Sequence, residues 1–263
     1  RDLDSSLVGS EMCIRDRTNP MALFRDVEWR TYIAIIFFVT LLVMLFGFLY
    51  GDFDPQDTVT PSPINRLYNG LRYGLFQVVS IITTTGYGTH DFDRWNHFAR
   101  GMLFLLMFVG GCAGSTGGGM KVIRHILFVK ILRLEVELSF HPSVVRPLRI
   151  GGEAVKTAGL RKNILVYFGL ITAIFAGSWL CVLLFEADAT WGVNASNKLV
   201  DSASAVAATL NNIGPGLGTV GSTQNYGHFG WPAKLLFTWL MMLGRVEVFV
   251  ILCLFQRRFW RSA

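Results

Sequence analysis

The sequence predicts an all-α integral membrane protein, on three observations. Of its 263 residues, 52% are hydrophobic and 16% charged, with a mean hydropathy of +0.43. Soluble domains carry roughly 25% charged residues. Two uncharged apolar runs, Tyr32–Tyr50 and Ile164–Phe185, approach the ~20 residues a spanning helix needs. Two glycine-rich segments, "TTTGYGT" (Thr83–Thr89) and "NNIGPGLG" (Asn211–Gly218), each follow a short helix and precede an apolar run.

The 21 Phe and 7 Trp suit a lipid-facing surface with aromatic belts. The net charge of +6 comes from Lys and Arg beside apolar spans, which argues for cytoplasmic loops and against nucleic acid. Cys13, Cys112, Cys181 and Cys253 form no CxxC pair, so neither a disulfide framework nor a zinc site is expected.

Residues 1–19 are a foreign-looking or disordered N-terminal segment. Arg1–Arg17 is polar and aperiodic and lacks the apolar core of a signal peptide. Residues 20–141 form a first unit. Its span Tyr32–Tyr50 leads into the acidic, proline-bearing loop Gly51–Pro63. Ile64–Ile82 carries Asn65, Arg66, Arg72 and Gln77, so it reads as a short helix shielded by protein. After "TTTGYGT", Met102–Met120 is uncharged but glycine-rich from Gly110 to Gly119. Each glycine costs roughly 1 kcal/mol in a helix relative to alanine, so this second span breaks there. Lys121–Phe140 is a basic helix.

Residues 142–162 are a cytoplasmic linker, in which Ser143–Ala154 reads as a short extended or hairpin element. Residues 163–263 repeat the order. Span Ile164–Phe185 is followed by a polar loop, the small-residue helix Lys198–Leu210, the second turn, and span Leu235–Phe255, interrupted by Arg245 and Glu247. The repeat is one of architecture more than of sequence identity.

Lys121, Arg124, Lys130, Arg133 and the linker's basic residues lie on one side, with Arg257, Arg258 and Arg261. Asp52, Asp91, Asp93, Glu186 and Asp188 lie on the other. The positive-inside rule puts both termini in the cytoplasm.

A half-buried helix returning through glycines is a re-entrant loop, and irregular backbone at membrane depth must line a water-filled path. The helix C-terminus points partial negative charge at that turn, which favours a cation. Thr84-Thr85-Gly86-Tyr87-Gly88 aligns with the TVGYG pattern of carbonyl-ring filters, and Asn212-Ile213-Gly214-Pro215-Gly216 keeps both glycines.

The chain resembles the TrkH-type potassium transporters of the Trk/Ktr/HKT superfamily over about Phe24 to Arg261. The resemblance rests on "TTTGYGT", "GGCAGSTGGGMK", "FHPSVVRPLRIGG", "LNNIGPGLG" and "MLGRVEVF". It implies two membrane helix–pore loop–membrane helix repeats, the third and fourth of four. It also implies K⁺ sites at the Thr85, Gly86, Ile213 and Gly214 carbonyls. Gly110, Gly111, Gly114, Ser115, Thr116, Gly117, Gly118 and Gly119 would form a gating loop, with Arg245 projecting into the path. An intramembrane arginine is a functional-site hypothesis in its own right. The implied setting is K⁺ uptake across a bacterial inner membrane by a homodimer on a cytosolic nucleotide-binding Trk regulatory subunit. No covalent cofactor and no enzymatic activity are expected. Since a pore of this type needs four repeats, the alternatives are a truncated, non-conducting fragment, an assembly module, or a half-length protein whose two copies pair around one pore.

The remaining polar residues have plainer readings. His90 and His97 are expected as solvated loop residues. Asp201 is either a vestibule charge or an N-terminal helix charge. Asp91 and Asp93 form a cation-attracting outer rim. Trp95, Trp231 and Trp239 are interfacial or packing residues. Lys121, Lys130 and Arg133 are anchors at the inner interface.

Overall fold

Asp26 starts the first helix: its carboxylate accepts the Glu28 N–H at 3.1 Å, the signature of an N-cap. The helix α1, Val27–Tyr50, ends at Gly51 in the left-handed conformation (φ 76°), where glycine carries no steric cost. The computed structural model describes residues 26–53, 63–115, 117–141, 149–150, 153–154, 158–188, 190–191, 197–246 and 251. The N-terminal segment 1–19, most of the acidic loop, Thr116, Glu247 and the basic C-terminus lie outside the described residues.

The first unit continues with α2 (Pro63–Ile82), α3 (His97–Leu106) and α4 (Val122–Phe140). The second contains α5 (Ala158–Phe185), α6 (Lys198–Leu210) and α7 (Trp231–Arg245). Between the units, β1 (Arg149–Ile150) pairs antiparallel with β2 (Glu153–Ala154), the hairpin expected in the linker.

Among the described residues two helices are long and apolar enough to cross a membrane, Val27–Tyr50 and Gly159–Phe185, with mean hydropathies of 2.8 and 2.2. Their apolar side chains are largely uncovered: Phe37 is 70% and Leu184 82% exposed. In water such surface is unfavourable by about 25 cal/mol per Å²; hydrocarbon removes that penalty.

Helix α6 has its expected bounds, Lys198–Leu210, and α2 and α4 begin within a residue of theirs; the differences lie elsewhere. Helix α3, the start of the unit's second span, begins at His97, not Met102, because Asn96 caps it by accepting the Ala99 N–H at 2.8 Å. It stops at Leu106, before the glycines begin. At 20 residues α2 is longer than a short shielded helix, and only its second half is covered. Ile64 and Tyr68 are exposed, whereas Gln77, Val78, Ser80, Ile81 and Ile82 are buried. The described part of the last span ends at Arg245, and Ile251 is helical beyond it.

Two apolar clusters carry the packing. One joins Val43 of α1, Val78 and Ile82 of α2, and Leu103 of α3. It also takes in Ala207, Ala208 and Ile213 from the second unit, so the units share a core. The other joins Val182 of α5, Val206 and Leu210 of α6, and Phe237 and Leu240 of α7. A smaller contact of Leu127 and Ile131 with Ile164 ties α4 to α5, beside a Phe128–Phe168 stack at 4.2 Å and an Arg161–Glu135 ion pair.

Candidate ion-permeation site

The two glycine-rich turns hang from the C-terminal ends of α2 and α6 with the same backbone signature. Thr84 and Asn212 both have φ 56°, and two residues on, Gly86 and Gly214 have φ 72° and 104°. Non-glycine residues seldom take positive φ; finding it at matching places in both turns marks one shared conformation.

Ser80, buried near the end of α2, anchors the first turn. Its carbonyl accepts the Thr85 N–H at 3.0 Å, and its hydroxyl donates to the Tyr87 carbonyl at 2.7 Å. The Thr85 hydroxyl donates to the Ser80 carbonyl at 3.2 Å. In the second turn the matching backbone bond is the Ile213 N–H to the Ala208 carbonyl at 2.8 Å, and the Ser204 hydroxyl holds the exit of the turn by accepting the Leu217 N–H at 2.9 Å. The Tyr226 hydroxyl donates to the Gly214 carbonyl at 2.8 Å. Among the described residues no donor reaches the carbonyls of Thr85, Gly86 or Ile213. Those oxygens are electron-rich and available to a cation. The Gly214 carbonyl keeps a second lone pair beside its Tyr226 bond. Tyr87 and Gly88 are exposed, Pro215 is half-buried, and Gly216 is buried against Val220 and Ser204.

The turns touch. A Cβ on Gly86 would overlap the Ile213 carbonyl oxygen and lie 2.9 Å from the Pro215 ring, so only glycine fits there.

Against both turns lies the glycine-rich loop. Its base is closed by Gly110 N–H to the Met120 carbonyl at 2.8 Å and Val122 N–H to the Gly111 carbonyl at 3.2 Å. Gly114 and Gly119 take φ 81° and 74°. Lys121 Nζ donates to the Ser115 and Gly117 carbonyls at 2.6 and 2.9 Å, folding the tip back. The Gly118 N–H donates to the Thr84 hydroxyl at 3.1 Å. On its other side, a Cβ on Gly118 would sit 2.6 Å from the Asn211 carbonyl oxygen. The loop therefore contacts one turn by hydrogen bond and the other by close backbone approach.

Arg245 is exposed at the end of α7 and lines a cavity of about 350 Å³ with Lys121, Arg124, Gly117, Gly119 and Asn211. Gly244 lets α7 meet the end of α6, since a Cβ there would overlap the Leu210 carbonyl. Asn212 Nδ2 donates to the Met241 carbonyl at 3.0 Å, tying the second turn to α7. Arg124 lies over the Tyr167 ring at 4.2 Å. Three basic side chains thus face one cavity beneath the loop.

The acids of the opposite face, expected as a cation-attracting rim, mostly have partners within the fold. Asp91 pairs with Arg94 at 3.4 Å. Asp93 accepts the Gly218 N–H at 2.7 Å, with Arg100 at 3.7 Å. Burial raises the Asp93 pKa, against the opposing pull of the Gly218 N–H and Arg100. Asp201 is buried in the first turn of α6, where negative charge suits the helix N-terminus, and it also accepts the Thr219 N–H at 3.0 Å. It pins the segment that leaves the second turn.

His90 is half-buried, not solvated: it accepts the Trp95 Nε1–H at 3.2 Å and packs on Tyr73 at 4.9 Å. Trp95 is buried and packs; Trp231 and Trp239 are exposed. His97 is exposed. Sequence reasoning missed Ser80, Ser204 and Tyr226 as holders of the turns and Glu28 as a loop contact. The signal for the serines was a polar residue on the buried side of each helix, Ser80 in the last turn of α2 and Ser204 in the middle of α6.

A sequence profile described as TrkH, cation transport protein, matches residues 12–262. The Trk system potassium uptake protein TrkH of Halomonas elongata is 41% identical over 193 residues, which is 73% of this chain and 37% of that protein. The Trk system potassium uptake protein TrkH of Vibrio parahaemolyticus is 35% identical over 247 residues, 93% of this chain and 45% of that one. The crystal structure of the potassium transporter TrkH from Vibrio parahaemolyticus superposes with a TM-score of 0.75 at 32% identity, covering 92% of this chain and 46% of that one. The chain spans less than half the length of these relatives. The matched family consists of membrane transporters and not of enzymes. With nearly the whole chain matched, this protein belongs to the TrkH family of cation transport proteins.

Proposed function

We propose that the chain forms part of a potassium pathway across a bacterial inner membrane. One observation carries this reading: two turns of the same backbone signature pack against each other over a glycine-rich loop. The turns are quarters of a selectivity filter, and K⁺ exchanges its water for the Thr85, Gly86, Ile213 and Gly214 carbonyls. The Gly110–Gly119 loop is the gate. Arg245, with Lys121 and Arg124 at the same cavity, opposes a cation until the loop and α7 move apart. The two units are successive pore-loop repeats with both termini cytoplasmic. The working assembly is a homodimer docked on a cytosolic nucleotide-binding regulator.

The coverage of less than half of each relative favours a second reading, an assembly module that conducts only with further repeats. Rubidium uptake in a strain lacking its own potassium uptake systems tests both. Uptake by this chain, lost in Gly86→Ser, supports a path formed by copies of this chain. Uptake only on co-expression with the missing repeats supports the module. Uptake under either condition that is indifferent to Gly86→Ser sinks the filter reading.

A further inference from the structure

Glu28 is the second residue of α1 and is 8% exposed. A carboxylate buried at the end of an apolar helix needs its own donors. Its Oε1 accepts the Ala113 N–H at 2.7 Å and the Ile123 N–H at 3.2 Å. Ala113 lies in the glycine-rich loop and Ile123 in the first turn of α4. A single oxygen from α1 therefore grips both arms of the loop.

The arrangement has a local reason. The first amides of a helix lack intrahelical acceptors, and Lys121 at the N-cap of α4 offers no side-chain acceptor. Glu28 supplies one from 95 residues away, and negative charge suits that end of the helix. The contacts of the tip are of another kind. Among the described residues they run to Lys121 Nζ and the Thr84 hydroxyl, and none is a hydrogen bond to α1. The base is tied to α1, and the tip is folded back onto that base by Lys121 and reaches the first turn through Thr84.

We propose that Glu28 is a positioning residue that tethers the base of the Gly110–Gly119 loop to α1 and so sets where its tip meets the two turns. Its consequence for ion flux rests on the reading of that loop as the gate; the tether itself does not.

Cys112, next to Ala113, is a free, half-buried thiol and reports on the loop. Cys181 of α5, also free and half-buried, is the internal reference. The whole chain, with Cys13 and Cys253 replaced by serine, is placed in lipid nanodiscs and labelled with a charged thiol reagent. Hydrogen bonds to a charged group contribute about 1.5–3 kcal/mol each, so Glu28→Ala should speed labelling of Cys112 at least about tenfold. Cys181 should keep its rate. Glu28→Gln retains one acceptor oxygen and should fall between. An unchanged Cys112 rate in both variants, or an equal rise at both cysteines, overturns the tether. Rubidium flux of the same variants, measured with whatever further repeats flux requires, separates the two ideas. Faster labelling with unchanged flux keeps the tether and removes the gate. Changed flux with unchanged labelling removes the tether and keeps the gate.

Discussion

His90 shows how one side chain can make the outer loops pH-sensitive. Burial lowers its pKa, outweighing the raising influence of Asp91. The neutral ring is also the form that accepts the Trp95 N–H. A group with a depressed folded-state pKa contributes stability above its unfolded value, near 6.5, and loses it as pH falls. The protein should therefore melt at lower temperature at pH 5 than at pH 7.5, followed by tryptophan fluorescence in nanodiscs. His90→Gln keeps an acceptor for Trp95 without the titration, so it should flatten that pH dependence. An undiminished slope in the variant assigns the effect elsewhere. The same residue illustrates a limit of sequence: "GTHDFDRW" reads as a solvated acidic loop, yet Phe92 and Trp95 fold inward and take His90 with them.

At the scale of elements, each turn is held by the helix that precedes it. Ser80, in the last turn of α2, connects to Thr85 and Tyr87 just beyond the end of the helix. Ser80→Ala removes the hydroxyl that holds the Tyr87 carbonyl and leaves the backbone bond to Thr85. A lost hydrogen bond of this kind costs about 1–3 kcal/mol when a buried partner is stranded. The expected outcome is a modest drop in melting temperature and a larger loss of discrimination, with Na⁺ competing better against Rb⁺ in uptake. Unaltered competition in a well-folded variant would falsify the role of Ser80 in shaping the filter. Element identity was legible beforehand because apolar runs and glycine clusters are strong local signals. Helix ends were less so, because they depend on caps such as Asn96 and on which half of α2 is covered.

Over the whole molecule, the two units are bound by more than the chain between them. Ala207, Ala208 and Ile213 complete the first unit's core, Gly86 abuts Ile213, and Asp93 holds the Gly218 N–H across 125 residues. The units expressed as separate chains, 1–151 and 152–263, should therefore copurify from membranes. Ile213→Asp, which places a charge in the shared apolar cluster, should separate them. Units that part readily without the substitution would show the interface to be too weak to hold a shared path.

The sequence by itself determined the membrane class, the two glycine-rich turns, the break after the third helix and the family resemblance, since each is written in local composition and spacing. The tertiary structure alone decided which acids are free and which are spent on backbone amides. It also decided that the two turns touch, that the loop rests on both, and that Glu28 holds the loop's base. The reason is physical. A turn's conformation follows from its own glycines, but a hydrogen bond across 85 residues depends on how helices pack, and no local pattern records that.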